Sequence, residues 1–363
     1  MLVLSILGAF IVLLIFHDFL WTTFSVSSNG FITRWTTRGI GRFASLLYET
    51  FPWTRNHFHA FAEITIGVIL MIWYIGTWAG WSLIFSNVPI IQASKQSDVT
   101  HVGENITPAD VIYYTGTAFF TLGLGDYVVD SGATFWRIMS NVCAAEGILL
   151  GIITVTYLLA AVDAATATCT FANILVCMGG SPTHILINAW NPKTKSFGSL
   201  ESALIDASDD LGIERQNYIL YPVLFTYSFS TGKPAYDSSP PRIAALDDLL
   251  TILLHAIDPA YTPSRYILQT TRMALTAYLD ILSAARIDSA ETAPPPPDLT
   301  LLREKGLPVI VNDDMWKRIC ERENIRKRRC FLLGLMVRCG HDWDDVVSIT
   351  WPEKSEPGMW WEE

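Results

Sequence analysis

A chain of 363 residues has room for about two domains, and half of its residues are hydrophobic while only 17% are charged. A mean hydropathy of +0.31 argues against an ordinary soluble protein and for membrane spans with a polar remainder. The formal net charge of −10 argues against nucleic acid as a partner, and six cysteines without a C-x-x-C pair indicate neither a disulfide framework nor a zinc site.

Residues 1–26 are apolar, lack the basic start of a signal peptide and are long for its apolar region. They are expected to form a transmembrane helix. His17 and Asp18 fall in its last third. The expectation for both is a wet position at the inner interface; the alternative is an ion pair between Asp18 and a basic residue of the next loop. That loop, residues 27–60, carries Arg34, Arg38, Arg42 and Arg55 against Glu49, so the positive-inside rule puts it in the cytoplasm. It reads either as an amphipathic helix on the membrane or as an arginine anchor for the spans beside it. Residues 61–85 form a second span, with Trp73, Trp78 and Trp81 towards its far end, at the outer headgroup level or against a neighbouring helix. Residues 86–106 are polar and lie outside.

Residues 107–129, TPADVIYYTGTAFFTLGLGDYVV, change character halfway. Thr107, Pro108 and Asp110 have the order of a capped helix start. In the second half Gly123 and Gly125 alternate with Leu122 and Leu124. Alternating glycines let successive residues take opposite hands, so that carbonyls can point one way. The run Thr121-Leu122-Gly123-Leu124-Gly125-Asp126 resembles the selectivity filter of the potassium channel superfamily, usually T-V-G-Y-G-D. Tyr113 and Tyr114 stand where that family has an aromatic pair on its pore helix. The resemblance implies K+ as the permeant ion, bound at Thr121, Leu122, Gly123 and Leu124, with Gly125 completing the filter. It implies support from Asp126, Tyr113, Tyr114 and Thr117, and no cofactor. Leu124 departs from the usual aromatic residue, so a cation channel of relaxed selectivity is the alternative. Phe119 and Phe120 replace small or hydroxylated residues, so the filter's support must be packed differently. Asp126, Asp130 and Glu104 put negative charge at the outer mouth, which concentrates cations.

Residues 135–162 are the third span. Glu146 is ionisable at membrane depth and must be neutral, paired or facing water. It is expected to hydrogen-bond the back of the pore helix near Thr115 or Thr117 as filter support; a cavity-facing position is the alternative. Gly147 and Gly151 stand where the superfamily often has a hinge glycine. Close helix packing explains them equally well.

The remainder is expected to be an all-helical cytoplasmic module. Helical periodicity covers residues 200–212, 242–257 and 263–287, Pro294–Pro297 reads as a linker or stiff spacer, and residues 313–338 read as one last helix. Its basic run Arg326-Lys327-Arg328-Arg329 reads as a solvated face, or as a contact for anionic lipid. The segment Tyr221-Pro222-Val223-Leu224, with the later A-A-L-D-D-L-L helix, resembles the tail of bacterial three-span, single-pore-loop channel-like proteins. No nucleophile–base pair stands out, so an enzyme is not expected.

The expected fold is an all-α membrane protein of three transmembrane helices with a re-entrant pore helix and selectivity filter, followed by an α-helical cytoplasmic domain. The expected divisions are residues 1–60, 61–166 and 167–363. Three spans put the N-terminus outside and the tail in the cytoplasm of a cell that carries the protein in its plasma or inner membrane. One pore loop per chain implies a homotetramer in lipid, and a non-conducting membrane sensor is the alternative of another class.

Overall fold

The computed structural model describes residues 2–25, 30–50, 58–92, 106–221, 224, 238–283 and 287–347. Most of these are helical. Three helical stretches among the described residues are long and apolar enough to cross a membrane: Leu2–Phe24, Ile64–Asn87 and Thr134–Met178. The chain divides into two compact units, one of residues 1–42 with 63–161, the other of residues 43–62 with 162–363.

The first unit is built on α1 (Leu2–Phe24), the start of α2 (Phe31–Thr50), α3 (Phe58–Ile84), the short α4 (Pro108–Phe119) and the first part of α5 (Thr134–Met178). Helices α1 and α3 meet through small residues. A Cβ on Gly8 would lie 2.5 Å from the Gly80 carbonyl oxygen, and one on Gly76 would lie 2.3 Å from Ile15 Cδ1. Without hydrophobic drive between helices in lipid, such close backbone approach is what dispersion can exploit. One apolar cluster gathers Val12, Trp81, Phe85, Val111, Tyr114, Phe119 and Cys143. A second joins Ile15, Phe19, Ile69, Trp73 and Leu150. Two short strands, β1 (Ile90–Gln92) and β2 (Tyr127–Val129), pair antiparallel with Ile90 opposite Val129.

Asp18 is not wet, and among the described residues no ion pair reaches it. It is 2% exposed, and its carboxylate accepts from the Ile32 amide at 2.7 Å, the Thr33 hydroxyl at 2.8 Å and the Trp73 indole at 3.2 Å. The amides among its partners stand at the start of α2, where they lack an acceptor within their own helix.

Helix α5 runs 45 residues without a break, through the small-residue run after Asp163. At about 1.5 Å per residue it is roughly twice as long as a hydrocarbon core of about 30 Å is thick. Gly179 and Gly180 end it, at φ +140° and +69°, where the Gly180 amide turns back to the Leu175 carbonyl at 2.9 Å. Residues other than glycine adopt these conformations at a cost.

The second unit continues with α6 (Pro182–Ala189), α7 (Leu200–Leu220), α8 (Ser239–His255), α9 (Arg265–Ser283), α10 (Thr300–Glu304), α11 (Asp313–Cys320), α12 (Glu323–Arg338) and α13 (Asp344–Val347). Helix α8 is buried on every side from Ser239 to Leu253. Helix α7 lies on α9, where the Thr271 hydroxyl reaches the Leu204 carbonyl at 3.1 Å. Three expectations need correction. The last long helix is two, because Arg322 takes an extended ψ of 136° and restarts the chain as α12. The basic run is not one solvated face: Lys327 is exposed and pairs with Glu323, whereas Arg329 is buried against Asp248 and Arg328 reaches Asp247. The proline stretch is not a free spacer, since the Pro295 carbonyl accepts from Arg329 and that of Pro297 from the Trp316 indole. Arg55, Glu104, the Pro222–Val223 part of the apolar segment and the tryptophans at 351, 360 and 361 lie outside the described residues.

Candidate ion-conduction site

The site is assembled around α4. The Thr107 hydroxyl accepts from the Asp110 amide and the Asp110 carboxylate accepts from the Thr107 amide, a reciprocal cap with Pro108 in the first turn. The second Asp110 oxygen accepts from the Tyr127 hydroxyl at 2.8 Å. One carboxylate therefore starts the helix and ties it to β2, downstream of the glycine run.

At the other end of α4 the chain folds back on itself. The Leu122 amide reaches the Thr117 carbonyl at 2.8 Å and the Gly123 amide shares it at 3.4 Å. Thr121, Gly123 and Gly125 have φ of +55°, +58° and +75°. Every second residue thus takes the left-handed conformation, and Thr121 does so at a cost of about 1–2 kcal/mol because it carries a Cβ. Residues 121–126 are all exposed in the single chain, Leu122 at 61% and Leu124 at 60%.

Residues beneath the run are held individually. The Thr117 hydroxyl is buried and donates to the Tyr114 carbonyl at 2.8 Å. The Tyr114 hydroxyl shares a 2.5 Å hydrogen bond with Ser140 of α5. Tyr113 stacks edge-on with Tyr127 and neighbours Asp126. The Asp126 carboxylate also accepts from the Tyr127 amide at 3.1 Å. The two bulky residues that close α4 meet aromatic partners on α3: Phe119 packs edge-on to Tyr74, and Phe120 stacks on Tyr74 and packs edge-on to Trp78. Asp130 caps the turn before α5 by accepting from the Gly132 amide at 3.1 Å.

Glu146 has a different partner from the expected one. Its carboxylate accepts from the Trp81 indole of α3 at 2.7 Å. The hydroxyls of Thr115 and Thr117 instead donate back to their own helix, to Val111 and Tyr114. A hydroxyl in a helix reaches the carbonyl one turn back without any displacement, so neither is free for Glu146. Gly147 next to it is a contact point: a Cβ there would lie 2.0 Å from the Phe119 carbonyl oxygen at the end of α4. Gly151 has room, its nearest neighbour being the Tyr74 hydroxyl at 3.5 Å. Gly147→Ala is therefore expected to lower unfolding stability by about 1–3 kcal/mol through overpacking. Gly151→Ala is expected to be neutral or slightly stabilising, since alanine favours helix. Thermal melts of the two variants side by side check this, and equal melting temperatures would refute the contact.

Over 335 residues the chain is 31% identical to YdjJ of Bacillus subtilis (strain 168), an uncharacterized membrane protein, covering 90% of this chain and 91% of that one. The chain belongs to the YdjJ family. It is a membrane protein, as the family's name and its own three apolar helices agree. The shared length exceeds that of either compact unit, so membership in the YdjJ family extends over both. No family model and no solved structure matches the chain.

The residues that sequence reasoning did not reach are the partners: Trp81 for Glu146, Tyr74 and Trp78 for Phe119 and Phe120, and Tyr127 for Asp110. The β-branched residues of I-I-Q and Y-V-V were the available signal for the strand pair.

Proposed function

We propose that this protein conducts potassium ions passively through a pore that four copies of the chain build together. The observation that carries the reading is the alternation of backbone hand at Thr121, Gly123 and Gly125. It follows a capped helix and stands between two helices long enough to span. An alternating backbone aims successive carbonyls at one axis, and a ring of such carbonyls replaces the water shell of K+. In this reading the carbonyls of Thr121, Leu122, Gly123 and Leu124, with the Thr121 hydroxyl, strip and hold the ion. The C-terminal end of α4, with its partial negative charge, leads into the path and favours a cation there. One chain offers one loop, so four are needed to close the ring. The arginines of α2 put that helix on the cytoplasmic side, the N-terminus outside and the second unit in the cytoplasm.

Potassium flux into liposomes holding the purified protein is the test. Gly123→Ala and Gly125→Ala are expected to abolish it. A Cβ on Gly123 meets nothing within 4 Å of the same chain, and one on Gly125 meets only the Gly123 carbonyl at 4.0 Å. The loss is therefore expected through the positive φ rather than through a clash, and both variants should keep the fold at a cost of about 1–2 kcal/mol. Undiminished flux in either would refute the filter. Leu124, at 60% exposed, supplies no aromatic strut, which favours relaxed selectivity as the second reading. Reversal potentials in opposed potassium and sodium gradients separate the two.

A further inference from the structure

In the second unit, the inner end of α5 and helix α7 are joined by one buried polar contact. The Thr168 hydroxyl of α5 donates to the Glu214 carboxylate of α7 at 2.6 Å. Glu214 is 2% exposed and Thr168 8%. Among the described residues no cation answers this carboxylate. The groups that face it are Asp210 and Tyr218 on its own helix and Tyr278 on α9, with Asp163 of α5 on the same groove. All four are acids or phenols, so of the described neighbours only the threonine hydroxyl stabilises a negative charge there. Beside the pair runs a groove of about 360 Å³, lined by Asp163, Thr166, Ile174, Asp210, Ile213 and Glu214. It offers water a way to the carboxyl once the two helices part.

We propose that Glu214 and Thr168 form a proton-controlled latch that holds α7 against α5 while the carboxyl is neutral and releases it when the carboxyl ionises. In the neutral form the carboxyl's own O–H can donate to Thr168 Oγ, whose hydrogen then serves the Ala164 carbonyl, 3.3 Å away on the same helix. Both hydroxyls of the contact are then satisfied without a charge. Loss of the proton leaves a carboxylate among acids in an apolar groove, and rehydration is its cheapest relief. Burial pushes the Glu214 carboxyl up to about 7, with Asp210 adding to the rise and the Thr168 hydrogen bond opposing it. The sign follows. The folded value lies above the ordinary carboxyl value of about 4.3. The closed latch is therefore fully stabilised in acid and is lost as pH rises through about 7. The latch belongs to this unit alone and stands whether or not the pore conducts.

Hydrogen–deuterium exchange of the full chain in lipid nanodiscs tests it, between pH 5.5 and 8.5 with the chemical exchange rate divided out. Amides in residues 205–218 and 163–175 are expected to lose protection as pH rises from 5.5 towards neutrality and to level off above about 7. Between the ordinary carboxyl value of about 4.3 and the closed-state value the loss should approach about tenfold per pH unit. Glu214→Gln, which mimics the neutral carboxyl, is expected to keep full protection throughout. Thr168→Val removes the hydrogen bond that favours the charged form and is expected to move the midpoint to higher pH. Flat protection in the parent, an unchanged pH response in Glu214→Gln, or an unmoved midpoint in Thr168→Val would each overturn the latch.

Discussion

Arg329→Leu is expected to destabilise the second unit by about 3–5 kcal/mol, the usual cost of leaving a buried charge without its partner. Arg329 is 1% exposed and Asp248 2%. The guanidinium donates to the Asp248 carboxylate and to the Pro295 carbonyl, and it lies 5.0 Å over the Trp343 ring. Removing it strands a carboxyl that burial already pushes upward, with Arg329 as the largest opposing influence. It also frees the Pro295 carbonyl and uncovers the indole. The double change Asp248→Leu with Arg329→Leu is expected to cost much less than the sum of the single ones, because no charge is left behind. Arg329→Lys keeps the charge but not the fork, and is expected to fall between. Denaturant unfolding of the full chain, followed by the second unit's tryptophan fluorescence, measures all three. A single Arg329→Leu within about 1 kcal/mol of the parent would remove this pair from the account of stability.

The same pair shows what local sequence can and cannot carry. The pattern A-A-L-D-D-L-L reads as a helix, and residues 239–255 are one. Within that helix Asp247 and Asp248 are both buried, and their charges are met by Arg272, Arg328 and Arg329. Two of those arginines come from a run about eighty residues downstream that looks like an ordinary solvated stripe. A charge announces itself in sequence; its partner at long range does not. The capped α4 and its turn into the glycine run were legible because every part is local. Thr107, Pro108 and Asp110 stand within one turn, and the positive φ at Gly123 and Gly125 falls on residues whose chemistry allows it. Thr121 at +55° is the exception. Nothing in its side chain asks for that conformation, and only the fold back to Thr117 imposes it. Glu146 was legible as a residue needing a partner, while Trp81 as that partner depended on how α3 and α5 lie together.

Asp18→Leu is expected to cost about 2–4 kcal/mol and to fray the start of α2, by an argument from the same long-range logic. A helix begins with amides that have no partner inside it. At the start of Phe31–Thr50 a carboxylate from α1 takes them up, accepting from the Ile32 and Thr33 amides at 2.7 and 3.2 Å. The Thr33 hydroxyl and the Trp73 indole complete its coordination, so one side chain fixes α1, α2 and α3 together. An ordinary cap is worth about 0.5–2 kcal/mol, and each buried donor left without an acceptor adds about 1–3 kcal/mol. Water recovers some of these bonds at a helix end, so the total falls below the plain sum. Asp18→Asn keeps one acceptor oxygen and is expected to lose about half as much. Gly30→Ala approaches the same contact from the other side: a Cβ there would lie 2.1 Å from Asp18 Oδ1, so it must displace the carboxylate or the chain. Its effect should match or exceed that of Asp18→Asn. Hydrogen exchange of residues 31–37, read beside the melting temperature, separates a lost cap from general unfolding. Protection at those amides unchanged in Asp18→Leu would mean that α2 starts without this carboxylate, and that Asp18 serves only the Thr33 hydroxyl and Trp73.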